Sequence, residues 1–130
     1  MKVYTNDIYP FALALSFSDK ELEAEYTNAA NDDGTINTSP SASATTVFLN
    51  RKEKKGCGDS AVGIVFKCEK PSPRLITHEA LHAAYFMLQI GMNTPLNDYT
   101  EEPYAYLAGW IASCCDQFIN EINKPKQQEQ

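Results

Sequence analysis

The chain has 130 residues and a formal net charge of −6, with 43% apolar and 22% charged residues. That length suits one domain around one core, and the composition is ordinary for a soluble globular protein. The acidic balance argues against sequence-independent binding to nucleic acid, which needs a basic surface, and no apolar run is long enough to cross a bilayer as a helix.

Lys2 to Tyr9 contains β-branched and aromatic residues and reads as a short strand, broken by Pro10. Ile8 to Phe17 is apolar and includes Ala12-Leu13-Ala14, so it could be mistaken for a secretory signal. Lys2 is the single basic residue before it, Asp7 is acidic and Pro10 interrupts it, which favours a folded segment and a cytoplasmic protein. Ser18-Asp19-Lys20-Glu21 has the form of a capping box and predicts a helix to about Asn28.

Asn31 to Ser43 is rich in Asn, Asp, Gly, Ser, Thr and Pro and reads as a mobile loop. Thr45 to Asn50 reads as a strand, Arg51 to Ser60 as a turn, and Ala61 to Cys68 as a second strand with Val62, Ile64 and Phe66 on one side. The two strands would pair as a hairpin.

Ser72 is suited to cap a helix and Pro73 to occupy its first position, so a helix is expected to run to about Ile90 with Gly91 as its stop. Thr100 is expected to cap a last helix reaching about Asn123, with Glu101 and Glu102 in its first turn. Lys124 to Gln130 is polar and reads as a frayed tail. The fold class is α+β: a small sheet with a hairpin, packed against two long helices in a single domain.

The cysteines Cys57, Cys68, Cys114 and Cys115 form no C-x-x-C pair and read as reduced thiols, with Cys114 and Cys115 on different faces of the last helix. A Cys57–Cys68 bridge across the hairpin is the less favoured alternative.

His78-Glu79-Ala80-Leu81-His82 fits H-E-x-x-H, and these are the two histidines of the chain. Residues i and i+4 share a helix face, so both imidazoles can reach one metal ion. Glu79 lies about 100° round from His78 and can face water at the metal rather than join its ligands. Zinc suits imidazole, keeps a position open for water in catalytic sites, and lowers that water's pKa so that a carboxylate can take the proton. Other divalent ions accept the same donors. The plain alternative is a pair of helix histidines flanking a solvated glutamate. The helix is argued from Ser72, Pro73 and Gly91 independently of the motif, which favours the metal reading.

A third ligand is needed, and Glu101 and Glu102 lie about 20 residues on, at a helix start. Ala105, Ala108, Gly109 and Ala112 form a small-residue face for close packing on the His helix, and both glutamates border it. Tyr85, one turn beyond His82, and Tyr104 and Tyr106 could donate to an oxyanion or brace a ligand, though aromatics at helical spacing more often pack a core. Arg74 reads as solvated rather than as a carboxylate binder.

Thr77-His-Glu-Ala-Leu-His82 followed by Glu101-Glu-Pro-Tyr-Ala-Tyr-Leu-Ala-Gly-Trp110 resembles the small zincin-like metallopeptidases of phages and prophages. Those pair H-E-x-x-H with a downstream E-x-x-A-Y-L segment. The resemblance spans Leu75 to Ile111. It implies a zincin-like fold, a zinc ion held by His78, His82 and Glu102, and Glu79 as catalytic base. Glu101 stands in reserve as ligand. It also implies a peptide or protein substrate, held by backbone pairing along an edge strand that would be Ala61 to Cys68. The loop from Asn31 to Ser43 has no counterpart in that likeness.

Two functions follow as expectations. One is a zinc-dependent peptide hydrolase in the host cytoplasm, acting on neither nucleic acid nor membrane. The other is a zinc-stabilised, non-catalytic protein of phage assembly or host interaction. An amidase acting on cell-wall peptides would need an exported route. The sequence sets neither the substrate nor the oligomeric state.

Overall fold

The computed structural model describes residues 1–54, 56 and 59–124. In chain order these form β1 (Lys2–Thr5), β2 (Ala12–Ser16), α1 (Asp19–Glu23), β3 (Tyr26–Asn28), β4 (Ala44–Arg51), β5 (Ser60–Phe66), α2 (Pro73–Tyr85) and α3 (Glu101–Ile122). A π-helical stretch, Phe86–Gly91, extends α2. No helix among the described residues is long and apolar enough to cross a membrane.

The five strands make one mixed sheet in the order β1-β2-β5-β4-β3. β4 and β5 form the expected antiparallel hairpin, while β2 and β5 run parallel at its centre. Val62, Ile64 and Phe66 face one core with α2 and α3. Ala61 and Val65 face a second, smaller core with Leu22, Tyr26 and Ile36. Period-2 alternation in β5 therefore sorts its residues between two apolar layers.

Four sequence expectations are corrected here. The strand expected from Lys2 to Tyr9 ends at Thr5, and the folded segment from Ile8 to Phe17 holds a second strand, β2, whose five residues are all buried and so lack the polar alternation of a half-exposed strand. The helix expected from Ser18 to Asn28 ends at Glu23. Ser18 does cap it, accepting from the Lys20 N–H, but Glu21 does not close a capping box: it accepts from the Ser16 hydroxyl and pairs with the chain's amino terminus. The residues beyond turn into β3, whose Tyr26, Thr27 and Asn28 pair with Arg51, Asn50 and Leu49. Long-range strand pairing there overrides local helix preference.

Third, Gly91 is not the helix stop. The left-handed residue is Asn93, with φ 49°, and the Thr94 N–H closes the end by donating to the Leu88 carbonyl at 2.8 Å. Gly91 is instead required by close approach: a β-carbon there would lie 2.2 Å from Phe11 Cζ. Fourth, Thr100 begins α3 without capping it; its hydroxyl donates to the Pro95 carbonyl at 2.6 Å and fastens the preceding loop.

The segment from Asn31 to Ser43 is irregular, as expected, yet tied down at several points. Ile36 is buried in the smaller core. Thr38 donates to Asp19 through both its N–H and its hydroxyl, at 3.0 and 2.6 Å. Cys114 and Cys115 are both buried, and Cys68, Cys114 and Cys115 are free thiols. The Cys57–Cys68 alternative and the tail from Pro125 lie outside the described residues.

Candidate metal and catalytic site

The helix that carries the histidines starts as its sequence dictates. The Ser72 hydroxyl accepts from the Leu75 N–H at 3.1 Å, Pro73 sits in the first turn, and the Ile76 N–H donates to the Ser72 carbonyl at 3.0 Å. Ile76, Ala80, Ala83 and Ala84 then form the buried stripe of α2. That stripe fixes the helix rotation and leaves His78 and His82 together on the exposed side.

The two ring Nε2 atoms stand 3.2 Å apart. Two nitrogens each about 2.0–2.1 Å from one zinc ion at a tetrahedral angle are about 3.3 Å apart, so the pair fits a shared ion. The same separation serves a ring-to-ring hydrogen bond, whose donor depends on the tautomer. One ligand atom from each of His78, Glu79 and His82 falls within 4.8 Å of the others.

Glu79 differs from its neighbours in burial. It is 4% exposed, whereas both histidines are exposed. Its Oε2 accepts from Thr46 Oγ1 at 3.2 Å. A buried carboxylate without such a donor would be costly. The tether engages one carboxylate oxygen and leaves Oε1 for other work. Thr46 gave no signal in the sequence: nothing local in β4 marks it, and only the packing of α2 across the sheet brings it to Glu79.

Glu101 and Glu102 lie in the exposed first turn of α3, and neither joins the His-Glu-His cluster. α2 and α3 pack against each other, with Ala80, Ala83 and Ala84 of the first and Leu107, Ile111 and Cys115 of the second in one core. The small-residue face expected to pack closely on the His helix is not the buried one: Ala105 and Gly109 are exposed, Ala108 and Ala112 are half-buried, and a β-carbon at Gly109 would meet nothing within 4 Å, while Tyr104, Leu107, Ile111 and Cys115 fill the buried side.

The tyrosines separate in role. Tyr85 is 44% exposed and follows His82 by three positions, near the imidazole face. Tyr104 is buried, and its hydroxyl donates to the Thr94 carbonyl at 2.7 Å, bracing the loop before α3. Desolvation raises its pKa. Tyr106 is half exposed, with its ring 6.2 Å from that of Tyr9. Arg74 is exposed, as expected.

The edge strand is not the expected one. β5, which contains most of Ala61 to Cys68, is flanked by β2 on one side and β4 on the other, so its backbone is already paired. The outer strands of the sheet are β1 and β3, and β4 is also open along part of its outer side. β3 covers only Leu49 to Arg51, and the Ala29 N–H reaches the Phe48 carbonyl at 2.9 Å. Before Phe48 the outer edge of β4 has no strand partner among the described residues. In an antiparallel pair, alternate residues turn their amide and carbonyl outward, so Thr46 shares the outward direction of Phe48.

Comparison with known proteins found no matching family model, no similar curated protein and no similar solved structure.

Proposed function

We propose that the chain is a zinc-dependent peptide hydrolase, in which His78 and His82 hold the metal and Glu79 moves the proton. The observation that carries this reading is the pair of Nε2 atoms at 3.2 Å beside a buried carboxylate tethered by Thr46. Zinc bound there would supply positive charge that polarises a carbonyl and brings the pKa of a water near neutrality. With the metal in place, Glu79 Oε1 would take the proton of a water as its oxygen bonds to the carbonyl carbon, and would return that proton to the amine nitrogen as the C–N bond breaks. Thr46 holds the other carboxylate oxygen, which fixes the orientation of Oε1. The unpaired half of β4 supports a peptide as substrate, because an extended chain can add to an open sheet edge through its backbone. Glu102 remains the proposed third ligand on the family likeness, with Glu101 in reserve.

The test is elemental analysis of the purified protein and of His78→Ala, joined to cleavage of a peptide library by wild type and Glu79→Gln. Zinc in wild type but not in His78→Ala, with cleavage lost in Glu79→Gln while its zinc stays, is the expected result. Loss of zinc from Glu79→Gln would remove its assignment as base.

A second reading is a metal-stabilised binding protein without turnover. The separation of Glu101 and Glu102 from the histidine cluster favours it. Its mark is destabilisation by chelators with no peptide cleaved.

A further inference from the structure

His78 and His82 offer one metal ion two ring nitrogens, and a zinc ion takes four ligands. Among the described residues, Glu79 is the one other metal-binding side chain that gathers with them. That carboxylate is buried and held by Thr46 of the sheet, whereas both imidazoles are exposed. The pair is thus short of ligands on its solvent side. The shortfall is two, which is what a second His78–His82 pair supplies.

The surface around the imidazoles suits a second copy. Arg74, Thr77, His78, Leu81, His82 and Tyr85 are exposed, while Ile76, Glu79, Ala80, Ala83 and Ala84 are buried. Spacings of three and four put the first set on one stripe of α2, opposite the buried one. The stripe carries no acidic residue, in a chain whose net charge is −6. Two such stripes can meet without the repulsion that most of the acidic surface would impose. Leu81 is 55% exposed and Tyr85 44%, so the contact has apolar area to bury.

The stripe is also self-complementary. A twofold axis through a shared ion, crossing α2 level with Ala80, lies midway between His78 and His82. In the resulting antiparallel contact, His78 of one copy stands level with His82 of the other, and the two Leu81 side chains meet beside the axis. Arg74, about 9 Å along the helix from that level, comes opposite Tyr85, about 7.5 Å from it on the other side. A guanidinium against a phenol ring is a favourable pairing.

We propose that two copies of this chain share one zinc ion through His78 and His82 of each. The inference rests on the metal-binding part of the reading above and adds a control on the same site. Four imidazoles complete the ligand set and leave no position for water, so the bridged pair has no turnover. A chain that takes an ion for itself keeps that position. Zinc scarce relative to the protein favours the closed pair, and zinc in excess favours the open single chain.

The experiment titrates the metal-free chain with zinc, followed by sedimentation velocity, and with cobalt, followed by visible absorbance. The mass is expected to double at half an equivalent of zinc, to return to that of one chain in large excess, and to return likewise on adding EDTA. The cobalt absorbance is expected to break at half an equivalent. Leu81→Lys, a change at an exposed position, sets like charges beside the axis. It should weaken the pair about tenfold or more, with circular dichroism unchanged and one zinc ion still bound per chain. A single chain at every zinc level, binding one ion each, overturns the bridge and leaves the metal reading standing. Wild type that binds no zinc removes both. A dimer that persists in EDTA or in His82→Ala overturns the bridge, because association would not need the ion. Peptide cleavage separates this inference from hydrolysis. A bridged dimer at half an equivalent, with no cleavage at any zinc level, keeps the bridge and removes hydrolysis. Undiminished cleavage where the dimer is fully formed overturns the claim that the pair is closed.

Discussion

Thr46 and Glu79 link the sheet to the histidine-bearing helix: Thr46 Oγ1 on β4 donates to Glu79 Oε2 on α2 at 3.2 Å. The carboxylate is 4% exposed, so this donor replaces part of the hydration it gives up. Thr46→Val keeps the shape of the side chain and removes the donor. It should cost about 1–3 kcal/mol of stability, the penalty for a buried acceptor left without its partner. Thr46→Ser should recover most of that loss. Denaturant unfolding of the two variants checks this, and a valine variant as stable as wild type would show that the contact carries no weight. With a cleavable peptide in hand, the valine variant should lose kcat more than KM, because the threonine orients Glu79 rather than binding substrate.

The metal assignment makes a separate prediction. Zinc at about a hundredfold excess over its Kd should stabilise the fold by about 2.7 kcal/mol, a shift in Tm on the order of 10 °C for a domain of this size. His78→Ala and His82→Ala should each abolish that shift. Their own stability without zinc should change little, because both side chains are exposed. Glu102→Ala should weaken the zinc response and Glu101→Ala should not. If both leave it intact, neither glutamate is the third ligand and the binding-protein reading gains ground.

Much of the site was legible because it depends on local rules. Ser72 and Pro73 set the start of α2, and the four-residue spacing of His78 and His82 sets their shared face. The parts that were missed depend on distant partners. β2 carries no alternation because both of its faces are covered. β3 exists only because Tyr26 to Asn28 find Leu49 to Arg51 across more than twenty residues of chain. Thr46 is invisible for the same reason. The hairpin is legible in the sequence but its neighbours are not: β5 pairs with β2, almost fifty residues earlier, and is covered on both sides, whereas β3 covers only Leu49 to Arg51 of β4. The third ligand stayed ambiguous because the loop between the long helices, rather than residue spacing, decides how far the first turn of α3 stands from the imidazoles.

Gly91 gives a prediction about packing rather than chemistry. Alanine is the better helix former by about 1 kcal/mol, so a helix-stop or propensity argument alone would make Gly91→Ala mild or favourable. The structure points the other way. A β-carbon there would stand 2.2 Å from Phe11 Cζ and 2.7 Å from Cε1. The Phe11 ring is itself 6% exposed and meets Phe48 edge to face, so it has little room to retreat. Overpacking of this kind costs about 1–3 kcal/mol, and Gly91→Ala should lose about that much in urea unfolding. The double variant Gly91→Ala/Phe11→Leu should be less destabilised than the sum of its parts, because the smaller side chain removes the clash.

The adjacent thiols of α3 predict an alkaline limit to stability. Burial pushes the Cys114 thiol up to about 11. Burial, then Cys114 and Glu79, push the Cys115 thiol up to about 12. Both are raised from 9.0, so the folded chain keeps thiol protons that the unfolded chain releases above that pH. Stability is then fully present below about pH 9 and falls as pH rises towards the folded values. For Cys115 alone the limiting slope is about 1.4 kcal/mol per pH unit. Unfolding measured between pH 8 and pH 10 should show the decline, and Cys115→Ala should flatten it even though the smaller side chain lowers stability at neutral pH. Alkylation gives a second check. At pH 8 the folded protein should leave Cys114 and Cys115 unmodified for as long as it stays folded, while half-exposed Cys68 reacts, since a buried neutral thiol is a poor nucleophile. Rapid modification of Cys115 in the native state would mean that α3 opens away from the core it shares with α2, and the alkaline prediction would fall with it.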